Sequence, residues 1–213
     1  MTFLELCQRA RQESGISGDG PVSVLNQKAI LQKVVEWVRQ ADIDIQRLQL
    51  DWLFMWRMQS ITFTEDINEY DATTLLLLNL RELLSVDIAG NELCCYTWDE
   101  FKREKYHLAT EKGQPTAYTI KPNGLIMLYP IPNADYTATA EYSLKPQLMV
   151  NDADVSLIPE SYHDIILHKA LMYYSSHEED QNLYQVSESR YEMVLSELAA
   201  NYLPRIKMAG GIR

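Results

Sequence analysis

His163 and His168 are the nearest approach to a metal-binding pair in this chain of 213 residues. Five helical steps, however, turn two side chains roughly 140° apart. A zinc pair on a helix needs the four-residue step that keeps both rings on one face, so the spacing predicts no metal site. His163-Asp164 and His177-Glu178-Glu179 each set an imidazole beside a carboxylate, the pairing of a general base and the group that orients it. No Ser or Cys stands in a nucleophile-elbow setting to use such a base, and both groups read as solvated charges at helix ends. Gly18-Asp19-Gly20 lacks the preceding strand and the lysine of a phosphate loop, and reads as a turn. Cys94 and Cys95 are adjacent and Cys7 is distant, which is neither a disulfide framework nor zinc spacing, so all three are expected as reduced thiols. No catalytic residue, cofactor site or metal ligand is assigned, and the chain is expected not to be an enzyme.

The elements that would position any site fall into three stretches. Phe3, Leu6, Cys7 and Ala10 recur at helical spacing behind Thr2, a permitted N-cap with Glu5 three residues on, and predict a short helix to about Glu13. Gly15, Gly18, Gly20 and Pro21 end it. Leu31, Val34, Val38, Ala41, Ile45 and Leu48 then give a second, longer amphipathic helix. From Ile61-Thr62-Phe63-Thr64 the period changes. Leu83–Ile88, Glu92–Thr97, Thr116–Ile120, Leu125–Tyr129 and Tyr136–Tyr142 read as short, mostly antiparallel strands punctuated by Gly90-Asn91, Pro122-Asn123-Gly124 and Pro130-Ile131-Pro132-Asn133. Trp98–Lys102 predicts a helical turn among them. In Tyr136–Tyr142 the even positions carry Tyr or Ala and the odd ones Thr or Glu, so one face is expected to be buried. After Pro159 helical stripes return, first Ile166, Ala170, Tyr173 and His177 with Leu167, Leu171 and Tyr174 on a neighbouring stripe, then Tyr184, Tyr191, Leu195, Leu198 and Tyr202, until Pro204 stops the last helix.

These stretches predict an α+β fold. The N- and C-terminal helices form a bundle over 1–58 and 157–204, a small antiparallel β domain is inserted over 59–156, and an extended arm follows over 205–213. The second helix is expected to pack with the helices after Pro159, since neither apolar stripe can stay wet.

Thirty acidic against nineteen basic residues leave a formal charge of −11, which excludes general phosphate-gripping surfaces. The start has no basic n-region and the longest aliphatic run, Leu75–Leu78, is far short of the ~20 residues of a membrane span, so the chain reads as soluble and unsecreted, without a membrane partner. Trp52, Phe54, Met55 and Trp56 concentrate more apolar surface than one helical turn can turn inward, and are candidate protein-interface residues. The tail after Pro204 has no acid, with Arg205, Lys207 and Arg213 as charges and Ile206, Met208 and Ile212 as apolar hooks.

Taken together, the arrangement and particular strings resemble the head-to-tail adaptor, or connector, proteins of tailed bacteriophages. The resemblance runs through Thr2-Phe3-Leu4-Glu5-Leu6-Cys7-Gln8-Arg9, Glu13-Ser14-Gly15-Ile16-Ser17-Gly18, Trp37-Val38-Arg39-Gln40-Ala41 and Trp52-Leu53-Phe54-Met55. It continues through Pro115–Ile120, Leu128–Pro132 and Ile158-Pro159-Glu160-Ser161-Tyr162-His163. Every one of these motifs is structural in kind. The resemblance implies a homo-oligomeric ring of about twelve copies under the portal protein, in the neck of a virion assembled in the host cytoplasm. The ring would extend the channel for genomic DNA without binding its sequence, and offer a platform to a tail or nozzle protein. It also implies that Arg205, Ile206, Lys207, Met208, Ile212 and Arg213 form the portal-binding arm. The competing reading is a non-enzymatic interaction module with a single host or phage partner.

Overall fold

Thr2 opens α1 (Phe3–Glu13) through a reciprocal cap: its hydroxyl accepts the Glu5 backbone N–H at 3.3 Å, and the Glu5 carboxylate accepts the Thr2 N–H at 2.8 Å. The fold is that of a computed structural model, which describes residues 1–106 and 110–204. Two compact units divide the described residues, Met1–Met55 with 146–204, and Trp56–Lys145.

In the first unit α1 buries Phe3, Leu6, Cys7 and Ala10. The long α2 (Ala29–Leu48) buries Val34, Val38, Ala41 and Ile45 of the stripe expected from its spacing, and Val35 beside them, while Leu31 is half-buried and Leu48 at its end stays exposed. A 3₁₀ turn over Glu160–Tyr162 leads into α4 (Asp164–Glu178), the intervening α3 (Trp98–Glu104) lying in the second unit. Glu179 closes α4 in the left-handed conformation, with φ 59°, and the Asp180 carboxylate accepts the Leu183 N–H at 3.0 Å to open α5 (Gln181–Tyr202). α4 packs on α1, α2 and α5 at once. Its burial therefore covers most of its circumference, Ile165, Ile166, Leu167, His168, Ala170 and Leu171 in one run, where the sequence pattern suggested two stripes. α5 is the reverse case: it buries only Ser187, Tyr191 and Leu198.

The second unit runs β1 (Trp56–Phe63), β2 (Glu69–Tyr70), β3 (Leu80–Ile88), β4 (Asn91–Glu92), β5 (Cys94–Tyr96), α3 (Trp98–Glu104), β6 (Lys112–Gly113), β7 (Ala117–Ile120), β8 (Ile126–Tyr129), β9 (Ile131–Pro132) and β10 (Tyr136–Leu144). One antiparallel sheet has the order β1-β10-β3-β4; a second, β2-β8-β7-β5, is antiparallel except for the β5–β7 pair, and β6 and β9 form a short parallel pair. Phe63, Tyr118, Ile126, Leu128, Ala138 and Ala140 lie in the main core of this unit. β10 alternates as its sequence predicts, with Ala138, Ala140 and Tyr142 buried and Thr137 exposed. Gly124, at φ 86°, supplies the turn between β7 and β8, where its N–H reaches the Lys121 carbonyl at 2.8 Å.

Two expectations are corrected here. The strand expected from Ile61 begins at Trp56, because all eight residues of β1 pair with β10, from Trp56 opposite Ser143 to Phe63 opposite Tyr136. The strand expected over Glu92–Thr97 breaks at Leu93, whose N–H turns aside to the Val86 carbonyl at 2.8 Å while its side chain enters the core.

Candidate functional site

The four aromatic and methionine residues read as one interface cluster divide between buried and exposed positions. Trp52 is 1% exposed; its indole N–H donates to the Ile45 carbonyl at 3.1 Å and its ring stacks on Phe54 with centroids 5.2 Å apart. Met55, in the 3₁₀ turn Leu53–Met55, is wholly buried. Phe54 is half-buried and meets the Tyr202 ring edge to face. Trp56 opens β1 in the other unit and is 39% exposed, with its indole N–H directed at the Glu141 carboxylate. Met55 and nearly all of Trp52 are therefore buried rather than part of an exposed cluster, and what remains accessible of Trp52 lines the groove described next. The turn after α2 gives the outer positions to Leu50 and Leu53 instead, both about half exposed. Sequence reasoning missed them because isolated leucines carry no signal beside two tryptophans.

This turn also forms one wall of a groove of about 300 Å³. Leu48, Gln49 and Trp52 line one side and Glu192, Leu195, Ser196 and Ala199 of α5 the other. The tail residues Arg205, Ile206, Lys207, Met208, Ile212 and Arg213 lie outside the described residues.

The described histidines divide between buried and exposed positions. His163 is buried rather than a solvated helix-end charge, and its Nε2 faces the Ile158 carbonyl at 2.9 Å. That partner fixes the proton on Nε2, so Nδ1 accepts from the Met1 ammonium group at 3.0 Å, while the same ammonium group reaches the Glu160 carboxylate at 3.2 Å. His168 is also buried, and burial lowers both imidazoles below their ordinary pKa. The reason is α4, whose near-complete burial takes in positions that an amphipathic reading leaves wet. His177 does lie at an exposed helix end, between Lys33 and Glu178. Cys7 is buried and its thiol is pushed up to about 12, mainly by desolvation, whereas Cys94 and Cys95 are exposed. Among the described residues no three His, Cys, Asp or Glu side chains gather closely enough to hold a metal ion.

Comparison with known protein families shows that residues 1–209 match the SU10 adaptor protein family. The chain belongs to that family. SU10 adaptors are phage head-to-tail adaptors, a family of structural proteins, so this chain has an adaptor role in a bacteriophage and works through contacts with other virion proteins. The family points to the virion neck. No curated protein matches the chain. Among the described residues of this adaptor no helix is long and apolar enough to cross a membrane.

One buried acid in the adaptor was absent from the sequence reading. Asp42 of α2 is fully buried and accepts hydrogen bonds from the Gln46 amide at 2.7 Å and from the Ser156 hydroxyl. Ser156 in turn accepts the Ile158 N–H, and Gln46 accepts the Gln147 N–H at 2.8 Å, so α2 is tied to the returning segment 147–158. Desolvation raises the Asp42 carboxyl to about 6 against an ordinary 3.8, with both hydrogen bonds opposing the rise. A raised acid means that the folded state binds the proton more readily than the unfolded state. Its contribution to stability therefore grows as pH falls from about 6 to about 4, by up to 2–3 kcal/mol, and is absent above that window. The buried neutral histidines work in the opposite direction below their ordinary pKa. Subtracting the melting curve of Asp42→Asn from that of the wild type isolates the acid: the difference should change across pH 4–6 and be flat above pH 7.

Proposed function

We propose that this adaptor assembles as a homo-oligomeric ring of about twelve copies beneath the portal protein, extends the channel through which genomic DNA passes, and gives the tail or nozzle protein its platform. The observation that carries this reading is the family match over nearly the whole chain. The helical unit, Met1–Met55 with residues 146–204, acts as the bundled body of the subunit, Trp56–Lys145 as its β domain, and 205–213 as the arm that reaches the portal. The acidic balance supports the channel, since like charge lets DNA slide without sticking. Assembly takes place in the host cytoplasm.

The arm attaches the ring while adding little to the fold of the subunit. A segment that orders on binding loses roughly 1–2 kcal/mol of backbone entropy per residue, so it needs apolar anchors as well as charge, and Ile206, Met208 and Ile212 supply them. Repetition around a ring converts a weak single contact into firm attachment. Deleting residues 205–213 should leave the circular dichroism and melting of the free adaptor nearly unchanged and abolish co-sedimentation with portal rings. Undiminished co-sedimentation would move attachment to the body.

A further inference from the structure

We infer that the groove between residues 48–52 and α5 is the resting site of the chain's own residues 205–213 in the free protein. The inference deepens the proposed role of that segment and rests on reading it as an adhesive arm. Glu192, Leu195, Ser196 and Ala199 follow steps of three, one and three, which puts the α5 wall of the groove on a single helix face. That face continues one turn further to Tyr202 and Leu203, where Tyr202 meets Phe54 with ring centroids 6.0 Å apart. The chain thus leaves α5 at the groove's own end.

Length and chemistry both suit this occupant. From Pro204 back to the level of Glu192 is about 18 Å along the helix axis, whereas nine extended residues reach about 30 Å, so the segment can turn and run the whole groove. The groove offers Leu48, Trp52, Leu195 and Ala199 as apolar wall and Glu192 as its charge, with no Lys or Arg among its lining residues. The segment brings three apolar side chains, three basic residues and no acid. Because it is tethered, it meets the groove at an effective concentration in the millimolar range, and contacts too weak to hold a free peptide suffice. The same Ile206, Met208 and Ile212 would serve the groove and the portal. The arm then leaves one to take the other, which keeps its apolar residues covered until a portal is present.

Cysteine pairs in the full chain read this directly. In a background with the exposed Cys94 and Cys95 changed to Ser, Met208→Cys is combined with Ala199→Cys, in the groove, or with Ala200→Cys, one residue on and turned out of it. Both pairs cost the helix little, since each replaces an alanine. Under mild oxidation of dilute protein, the Ala199 pair should close within one chain roughly tenfold or more faster than the Ala200 pair, by the gain in local concentration. Equal rates, or no closure, would mean that the arm does not rest there, and disulfide-linked dimers in place of closed monomers would give the groove to a second copy's arm. Either result overturns the inference and leaves the portal reading, which is measured by co-sedimentation, intact.

Discussion

Replacing Val38 with aspartate should unfold the helical unit. Val38 sits in the middle of α2 with no exposed surface, in a stripe continued by Val34, Ala41 and Ile45. α2 packs against α1 and α4, so a carboxylate at 38 enters a space closed by neighbouring helices. The substitution forfeits about 1.5–3 kcal/mol of apolar burial and adds several more for a charge without a partner. A total of about 4–5 kcal/mol or more approaches the whole net stability of an ordinary domain, about 5–15 kcal/mol. Far-ultraviolet circular dichroism at 25 °C should show loss of helix or a melting point lowered by well over 10 °C. Leu48→Asp on the same helix is the matched control: Leu48 is 48% exposed, and its charge can stay in water at a cost of about 1 kcal/mol or less. An unchanged melting temperature for Val38→Asp would contradict the burial of α2.

The helices with one wet face were legible in the sequence and the helix without one was not. α1 and α2 each have a polar side, so the apolar spacing marks their extent, all of the buried face of α1 and the centre of that of α2, and Thr2 with Glu5 gives the start of α1 to the residue. α4 contacts three helices, and the period that should reveal it is blurred by burial all round. His163 illustrates this: beside Asp164 it resembles a helix-end charge, and only the fold brings the Met1 ammonium group and the Ile158 carbonyl to it. Asp42 was missed for a related reason. Its partner Ser156 lies 114 residues away, and no local pattern announces a satisfied buried acid. Strands were legible where they alternate, as in β10, and less so in β1, whose first half has no buried side chain to set a period. The groove joins residues about 145 positions apart and leaves no trace in either segment alone.

The Trp52 and Trp56 side chains, four residues apart, should separate fold from assembly when each is cut back to alanine. Trp52→Ala removes a side chain that is 1% exposed, stacked on Phe54 and hydrogen-bonded to the Ile45 carbonyl at the end of α2. The large cavity left behind and the orphaned carbonyl predict a loss of about 3–5 kcal/mol, read as a lower denaturation midpoint. Trp56→Ala removes a ring that is 39% exposed and whose indole N–H makes a long hydrogen bond of 3.4 Å to Glu141, so stability should change by less than about 1 kcal/mol. Its effect should fall on association: a half-exposed tryptophan in a structural adaptor is the kind of residue that anchors an interface, where truncation costs about 2 kcal/mol or more. Sedimentation of the folded Trp56→Ala protein, alone and with portal rings, should show weaker assembly than the wild type. A variant that melts and assembles as the wild type does would leave Trp56 an ordinary exposed aromatic and shift the search for contacts to Leu50 and Leu53, the apolar side chains that the turn after α2 turns outward.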